Sequence, residues 1–172
     1  MTAADYFSLG NRTDAYMKIA LVIAKFDEYQ KPIINHLSGL KLHHWDSEIR
    51  IVASQSLARV SQLNPFYCVN QILPTLLEKS FNDDLVVRHG SLLGAAEIFL
   101  SLGELNLVED SNIVDDDMKV SIIELVPSIE KARLYRGRGG EIMRSASCRM
   151  IECISLTKVP MTVKQQVSNV NT

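Results

Sequence analysis

The informative absences in this 172-residue sequence concern cysteine, charge and long apolar runs. Its three cysteines are odd in number and lack CxxC spacing, so they predict neither a disulfide framework nor a zinc site. The net charge of −2 gives no overall attraction for nucleic acid or anionic lipid. No apolar run reaches membrane-spanning length and no secretory signal is visible. We therefore expect a cytoplasmic protein that neither binds nucleic acid nor inserts into membranes.

Strand-like alternation is also almost absent, because the apolar residues recur at the three- and four-residue spacing of helices. Asp46 is placed to cap a helix, Asn64 to end it, and the following helix must continue through or bend at Pro74. The predicted apolar faces are Met17, Leu21, Ala24 and Phe26; Ile33, Ile34, Leu37, Leu40 and Leu42; Ile49, Val52, Ala53, Leu57 and Val60; and Val69, Ile72, Leu73, Leu76 and Leu77.

Two of the predicted helices form an internal repeat with a spacing of 38 residues. The aligned pairs are Asp46 with Asp84, Ile49 with Val87, Arg50 with Arg88, Ala53 with Ser91, Leu57 with Ala95, and Val60 with Ile98. A weaker third copy falls at Met143, Arg144, Ser147 and Ile151. Helix pairs that recur at about 40 residues are typical of HEAT and armadillo units. The sequence therefore predicts an all-α, HEAT/armadillo-like helical-repeat solenoid.

The chain divides into three parts on this interpretation. Residues 1–12 form an N-terminal lead-in, 13–158 hold the HEAT-like repeats, and 159–172 form a poorly structured tail without an apolar face. An acidic segment at about 104–117 interrupts the repeats, and we expect an exposed loop there. It lacks the D-x-D-x-D-G series of a calcium loop.

An Arg, a His and a Gly stand together inside a predicted helix at Arg88, His89 and Gly90. They could mark an enzyme site or a repeated packing unit, and the equivalent Arg50 favours packing. No Cys, Ser or carboxylate lies at a spacing that would make His89 a catalytic base. Small side chains at Gly90 and Gly94 would let a neighbouring helix approach closely. We therefore predict no catalytic residue, no metal site and no cofactor.

A local concentration of basic residues is the candidate binding site. Lys131, Arg133, Arg136 and Arg138 lie around a predicted turn, where they could dock an acidic partner. The alternative is that they are solvated or bond to carbonyls at helix ends. The glycines at 137, 139 and 140 could cradle a phosphate or open the next helix, and the absence of a GxxxxGK[ST] pattern favours the turn.

Four segments of the sequence resemble, in the same order, the C-terminal part of the tubulin-folding cofactor D family. They are "DYFSLGNR", "PIINHLSGLKLHHWDSEIRIVASQSLARV", "RHGSLLGAAEI" and "LYRGRGGEIMRSASCRMIE". The resemblance runs from about Asp5 to about Lys158. Complete members of that family are several-fold longer, so we expect a fragment or a truncated product.

The resemblance implies a chaperone module that binds β-tubulin and assists assembly of the αβ heterodimer and microtubule homeostasis. Its implied partners are tubulin-folding cofactors C and E and a small Arf-like GTPase. The family has no covalent chemistry of its own, and it acts as a GTPase activator on tubulin only together with the other cofactors. Cytoplasmic location with microtubule or centrosome association is implied as well. From the residues alone, a generic helical-repeat adaptor or transport scaffold stays open as the alternative.

Overall fold

A computed structural model describes residues 12–137 and 139–157, which form seven helices and contain no strand. Helix α1 spans 12–24 (Arg12–Asp14, a π-helical turn Ala15–Ile19, and Ala20–Ala24), α2 spans 27–41 (Asp27–His36 and a π-helical turn Leu37–Lys41), and α3 is Ser47–Ser61. Helix α4 spans 65–79 (Pro65–Tyr67, a π-helical turn Cys68–Ile72, and Leu73–Lys79), α5 is Leu85–Glu104, α6 spans 116–131 (Asp116–Ile123 and Leu125–Lys131), and α7 is Gly140–Leu156. The predicted all-α class is confirmed.

The helices are arranged in two layers of stacked pairs. Helices α1, α3, α5 and α7 lie side by side, whereas α2 packs on α3, α4 on α5, and α6 on α7. The bounds of α2 (27–41) and α4 (65–79) differ by 38 at both ends, which is the spacing of the sequence repeat. Each pair buries its apolar face against the next pair, as in a helical-repeat protein.

Equivalent aspartates begin the two helices of the repeat. The side chain of Asp46 accepts a hydrogen bond from the backbone N–H of Glu48 at 3.0 Å, and Asp84 accepts one from Val86 at 2.8 Å. Such caps satisfy N–H groups that have no partner within the helix, at a gain of about 1 kcal/mol each. Asn64 likewise caps the start of α4, just after α3 ends.

Two residues assigned to apolar faces are exposed instead. Leu40 is 64% exposed, because the π-helical turn adds one residue to α2 and Leu42 follows Leu37 onto the core face. The N–H of Leu42 donates to the carbonyl of Leu37 at 2.9 Å, and both side chains are buried. Phe26 is 60% exposed because it lies between α1 and α2 with an extended backbone. A strict 3.6-residue period could not predict the exposure of Leu40.

Helix α4 continues through Pro74, as one of the two sequence alternatives allowed. The proline lies in the first turn of the α-helical segment Leu73–Lys79, directly after the π-helical turn Cys68–Ile72. At the junction, the N–H of Leu73 donates to the carbonyl of Cys68. A proline lacks the N–H group, so the start of a helical segment is where it costs least.

Helix α5 is the central core helix. Its length and apolar composition would suffice for a membrane span, yet 78% of its most apolar window is buried among the other helices. That pattern is typical of a helix inside a protein core. The predicted close approach is confirmed at Gly90, where a Cβ atom would lie 1.6 Å from the carbonyl oxygen of Leu42, and at Gly94, where it would lie 2.3 Å from the Leu42 side chain.

The acidic segment between α5 and α6 is anchored to the core at two points. Val108 and Val114 are buried, whereas Glu109 and Asp110 between them are exposed. The expectation of an exposed loop therefore holds for these acids and is wrong for the two valines. Asp115 ends the segment by capping α6 through a 2.7 Å bond from the N–H of Met118.

Candidate partner-binding site

The buried arginines of the repeat occupy equivalent positions. In each case the Nη1 atom donates to the carbonyl oxygens six and five residues earlier in the chain. These bonds measure 2.7 and 2.9 Å for Arg50, and 2.5 and 3.3 Å for Arg88. Each arginine thereby binds the preceding turn to the start of its own helix. The predicted equivalence of the two positions is confirmed.

Arg50 also joins α3 to α5. Its Nε atom donates to Nδ1 of His89 at 2.9 Å in a buried contact. Burial, together with the charge of Arg50, lowers the pKa of His89 to about 4. The imidazole is therefore neutral at pH 7, with Nδ1 as the acceptor and the proton on Nε2. His89 packs between helices, in agreement with the sequence interpretation.

The third copy of the repeat keeps the core positions but loses the arginine. Met143 and Ser147 are buried, whereas Arg144 is exposed and, among the described residues, donates a hydrogen bond to the Tyr135 carbonyl alone, at 3.4 Å. The physical reason is the different start of α7, which is capped by Gly139 in a left-handed conformation and not by an aspartate. Equivalence of Arg144 with the two buried arginines is therefore wrong.

A different ion pair joins α5 to α7. Nε of Arg149 lies 2.7 Å from Oε1 of Glu97, whose side chain is 9% exposed. This hydrogen bond raises the pKa of Arg149 and keeps the guanidinium charged. The partners are 52 residues apart, a spacing without counterpart in the 38-residue repeat, so this pair could not be predicted from the repeat.

The segment 131–139, here called the basic turn, runs from the last residue of α6 to the start of α7 and begins with a Schellman cap. The N–H of Arg133 donates to the Glu130 carbonyl at 2.8 Å, and the N–H of Leu134 donates to the Ile129 carbonyl at 3.2 Å. This motif requires one residue in the left-handed conformation, and Arg133 adopts that conformation with φ 57°. Glycine is the usual residue there, since a side chain costs about 1 kcal/mol in this conformation.

Three of the four predicted site residues lie on the surface of this turn. Lys131, Arg133 and Arg136 are exposed, and none of them forms an ion pair with another described residue. The fourth, Arg138, lies outside the described residues. The basic turn thus carries three cations that have no ion-pair partner within 12–137 and 139–157, and these could attract an acidic surface.

The glycines of the basic turn serve its conformation. Gly137 and Gly139 have φ values of 82° and 81°, which side chains rarely adopt. A Cβ atom on Gly139 would lie 2.1 Å from the side chain of Leu85, the first residue of α5. The turn is therefore seated against the start of α5. This supports the interpretation as a turn that opens α7.

The basic turn shares one edge of the molecule with the turns at 42–46 and 80–84. The Arg50–His89 bond places the starts of α3 and α5 together, and the Gly139–Leu85 contact does the same for α5 and α7. We call this the turn edge. At the other end of the stack, Lys25, which follows α1, and Arg59, in the last turn of α3, line a cavity of 470 Å³. Residues 12–137 and 139–157 contain no group of three side chains suited to a metal ion.

Comparison with known proteins identifies a relative of this sequence. Over 159 residues, or 92% of the chain, it is 32% identical to tubulin-specific chaperone D of Dictyostelium discoideum. The chain is a relative of tubulin-specific chaperone D. The resemblance noted in the sequence is thereby confirmed, although the chain spans only about 10% of the length of that chaperone. No family model and no solved structure matches the chain.

Proposed function

We propose that this chain is a module of a tubulin chaperone and that its basic turn contributes to the surface that binds β-tubulin. The observation that carries the proposal is the 32% identity, over 92% of the chain, to a protein named as a tubulin-specific chaperone. Because that protein is about ten times longer, its other regions supply surfaces that this module lacks.

The charges of the basic turn fit an acidic protein such as tubulin. Lys131, Arg133 and Arg136 are exposed and form no ion pair with carboxylates of the described residues. Exposed charges act mainly on the rate of association, and their effect weakens as salt is added. The left-handed Arg133 supports the same interpretation, because a glycine would cost less for folding at that position.

The proposed activity is binding without covalent chemistry. A stack of helices presents the turn on a rigid base, which limits the entropy lost when a partner docks. On this proposal, tubulin itself hydrolyses GTP, and the chain acts beside tubulin-folding cofactors C and E and a small Arf-like GTPase. Its place would be the cytoplasm, with access to microtubules and centrosomes.

Charge reversal on the turn tests this proposal. The variant Arg133→Glu with Arg136→Glu should lower the association rate with immobilised tubulin heterodimer by about tenfold at low salt, and by less at physiological salt. The matched control is Lys25→Glu with Arg59→Glu, which changes the net charge equally at the opposite end of the helices. Equal losses in both variants would show a general charge effect and contradict a role for the basic turn.

A pull-down separates the chaperone from the alternative of a generic helical-repeat adaptor. The purified chain should retain tubulin from a solution of pure heterodimer, with circular dichroism confirming that each variant keeps its helical content. Failure of the folded wild-type chain to retain tubulin at any ionic strength would overturn the proposed function and favour the adaptor.

A further inference from the structure

One exposed aromatic side chain is not used by the packing described above. Trp45 lies in the turn 42–46 and is 80% exposed, more than any other large apolar residue that the structure describes. It is also the only tryptophan in the sequence. Tryptophan is usually well covered, because its ring has a large apolar surface and a single polar N–H group. Its exposure therefore calls for an explanation outside the fold.

The second copy of the repeat shows that the turn does not need this ring. Trp45 aligns with Asp83, and both turns have the same buried arginine and the same aspartate cap. In both turns the N–H of the capping aspartate also donates to a side chain two residues earlier, at 3.1 and 2.9 Å. Because the same turn forms with Asp83, the Trp45 ring is not needed to form the turn. It contributes an exposed apolar surface instead.

The backbone that carries the ring is already held in place. Arg50 donates to the carbonyl of Trp45 at 2.9 Å, and the ring of His44 lies 5.4 Å from the tryptophan ring, centroid to centroid. A partner would therefore find the side chain on a fixed base, and little conformational entropy would be lost on binding. Tryptophan is one of the three residue types, with tyrosine and arginine, that are enriched among interface hot spots.

Trp45 lies on the turn edge, together with the basic turn. The starts of α3, α5 and α7 are neighbours, and helices pack 8–10 Å apart, so Trp45 and the basic turn are separated by about 20 Å. A standard interface of about 800 Å² per partner is roughly 30 Å across and can cover both. Between them the second turn carries the exposed acid Asp83.

We propose that Trp45 is the apolar anchor of the surface by which this chain binds tubulin. The ring enters an apolar pocket of the partner, about 20 Å from the acidic patch that faces the basic turn. This inference rests on the proposed function, because it takes tubulin as the acidic partner. A lipid surface and a second copy of this chain are the other occupants that an exposed tryptophan could serve, and the measurements below distinguish them.

Removal of the ring tests the anchor directly. Trp45→Ala should raise the dissociation constant for tubulin by about thirtyfold, as expected for an interface hot spot. Trp45→Phe should recover part of this loss, since it restores an apolar ring. The control is Phe66→Ala, which removes an aromatic residue that is 60% exposed at the start of α4, away from the turn edge. This control should bind tubulin like the wild type.

A label on the single tryptophan gives a second readout. When the chain is prepared with 5-fluorotryptophan, its one ¹⁹F resonance should shift or broaden on addition of tubulin heterodimer. It should stay unchanged with vesicles of phosphatidylcholine and phosphatidylserine, and also when the chain alone is concentrated. A response to vesicles or to concentration of the chain alone would assign the ring to a membrane or to self-association, and would overturn the proposal.

The two proposals fail in different ways. Suppose that Trp45→Ala binds tubulin like the wild type, while charge reversal at Arg133 and Arg136 slows association. The proposal that Trp45 is the anchor is then wrong, and the proposed function stands. If the wild-type chain does not bind tubulin, the proposed function fails and the anchor fails with it. Circular dichroism of Trp45→Ala should match the wild type, because the turn at 80–84 forms without a tryptophan.

Discussion

The junctions on the two sides of α5 are held by different chemistry. Towards α3, the neutral ring of His89 accepts a hydrogen bond from Arg50 at 2.9 Å. Towards α7, the charged pair of Glu97 and Arg149 makes the contact at 2.7 Å. Arg88, the repeat equivalent of Arg50, has an Nε atom with no hydrogen-bond partner among the described residues.

This difference shows that both copies of the repeat form the same turn within a helix pair, whereas the contacts between neighbouring pairs differ. The caps and the bonds from arginine to carbonyl are local, so the same short pattern rebuilds them at both places. A contact between pairs needs a partner from another part of the chain, and each junction has its own. The α3–α5 junction is therefore expected to respond to pH, and the α5–α7 junction to salt.

The largest effect should come from Gly90→Ala, which forces α2 away from α5. The new Cβ atom would lie 1.6 Å from the backbone oxygen of Leu42, which cannot move without shifting the end of α2. We expect a loss of about 4 kcal/mol or more in the free energy of unfolding, measured by urea denaturation. Gly39→Ala is the control, since nothing lies within 4 Å of the added atom. Similar stabilities for both variants would contradict the close approach.

Arg50→Ala and Arg88→Ala compare the two copies of the buried arginine. Arg50→Ala should destabilise the protein by about 3 kcal/mol, because two carbonyls and His89 lose their donor. Arg88→Ala should cost about 1 kcal/mol less, since it breaks the bonds to the preceding turn but none to a neighbouring pair. Urea denaturation of both variants gives the difference. Equal losses would mean that the Arg50–His89 bond adds nothing to stability.

The pH dependence of stability sharpens the contrast between the junctions. The pKa of His89 is about 4 in the folded protein and 6.5 in an unfolded chain, so the unfolded chain binds the proton more readily. Stability that is present above pH 6.5 should fall as the pH drops towards 4, by up to about 3 kcal/mol. His89→Gln keeps an acceptor for Arg50 but cannot titrate. Its unfolding free energy should fall less over the same range, and parallel curves for the two proteins would contradict this assignment.

The smallest effect concerns Arg133, which adopts a left-handed conformation in the Schellman cap. Arg133→Gly should raise the free energy of unfolding by about 0.5–1 kcal/mol, because glycine adopts this conformation without a steric cost. The same change should slow association with tubulin by removing one charge of the basic turn. Arg136→Gly is the control for charge, since it removes a cation without relieving a left-handed residue. A loss of stability in Arg133→Gly would show that the arginine side chain supports the turn.

Much of the fold could be predicted from the sequence, because its strongest patterns are local. Helical spacing, an aspartate cap and an arginine four residues later depend on neighbours along the chain, so they identified α3 and α5 and the equivalence of Arg50 with Arg88. The π-helical turn in α2 was missed, since one extra residue inside a helix leaves no mark in composition. It moved Leu40 to the surface, whereas the predicted burial of Leu42 is confirmed.

The candidate site was only partly predictable. The charges of Lys131, Arg133 and Arg136 could be read from the sequence. The packing of the basic turn against α5 depends on the contact between Gly139 and Leu85, which no local pattern predicts. The exposure of Trp45 was also missed. Its alignment with Asp83 was the available clue, because a position that tolerates aspartate in one copy is not required to be buried in the other.

The π-helical turns of α2 and α4 have a consequence for the genetics of this chain. The two helices have equal lengths, yet each carries its extra residue at a different place, Leu37–Lys41 in one and Cys68–Ile72 in the other. The number of residues before each cap is therefore fixed, whereas the place of the extra residue can vary. Deletion of one codon in such a turn should be suppressed by insertion of one codon elsewhere in the same helix. Intragenic suppressors of that kind are expected within α2 or α4, upstream of Asp46 or Asp84.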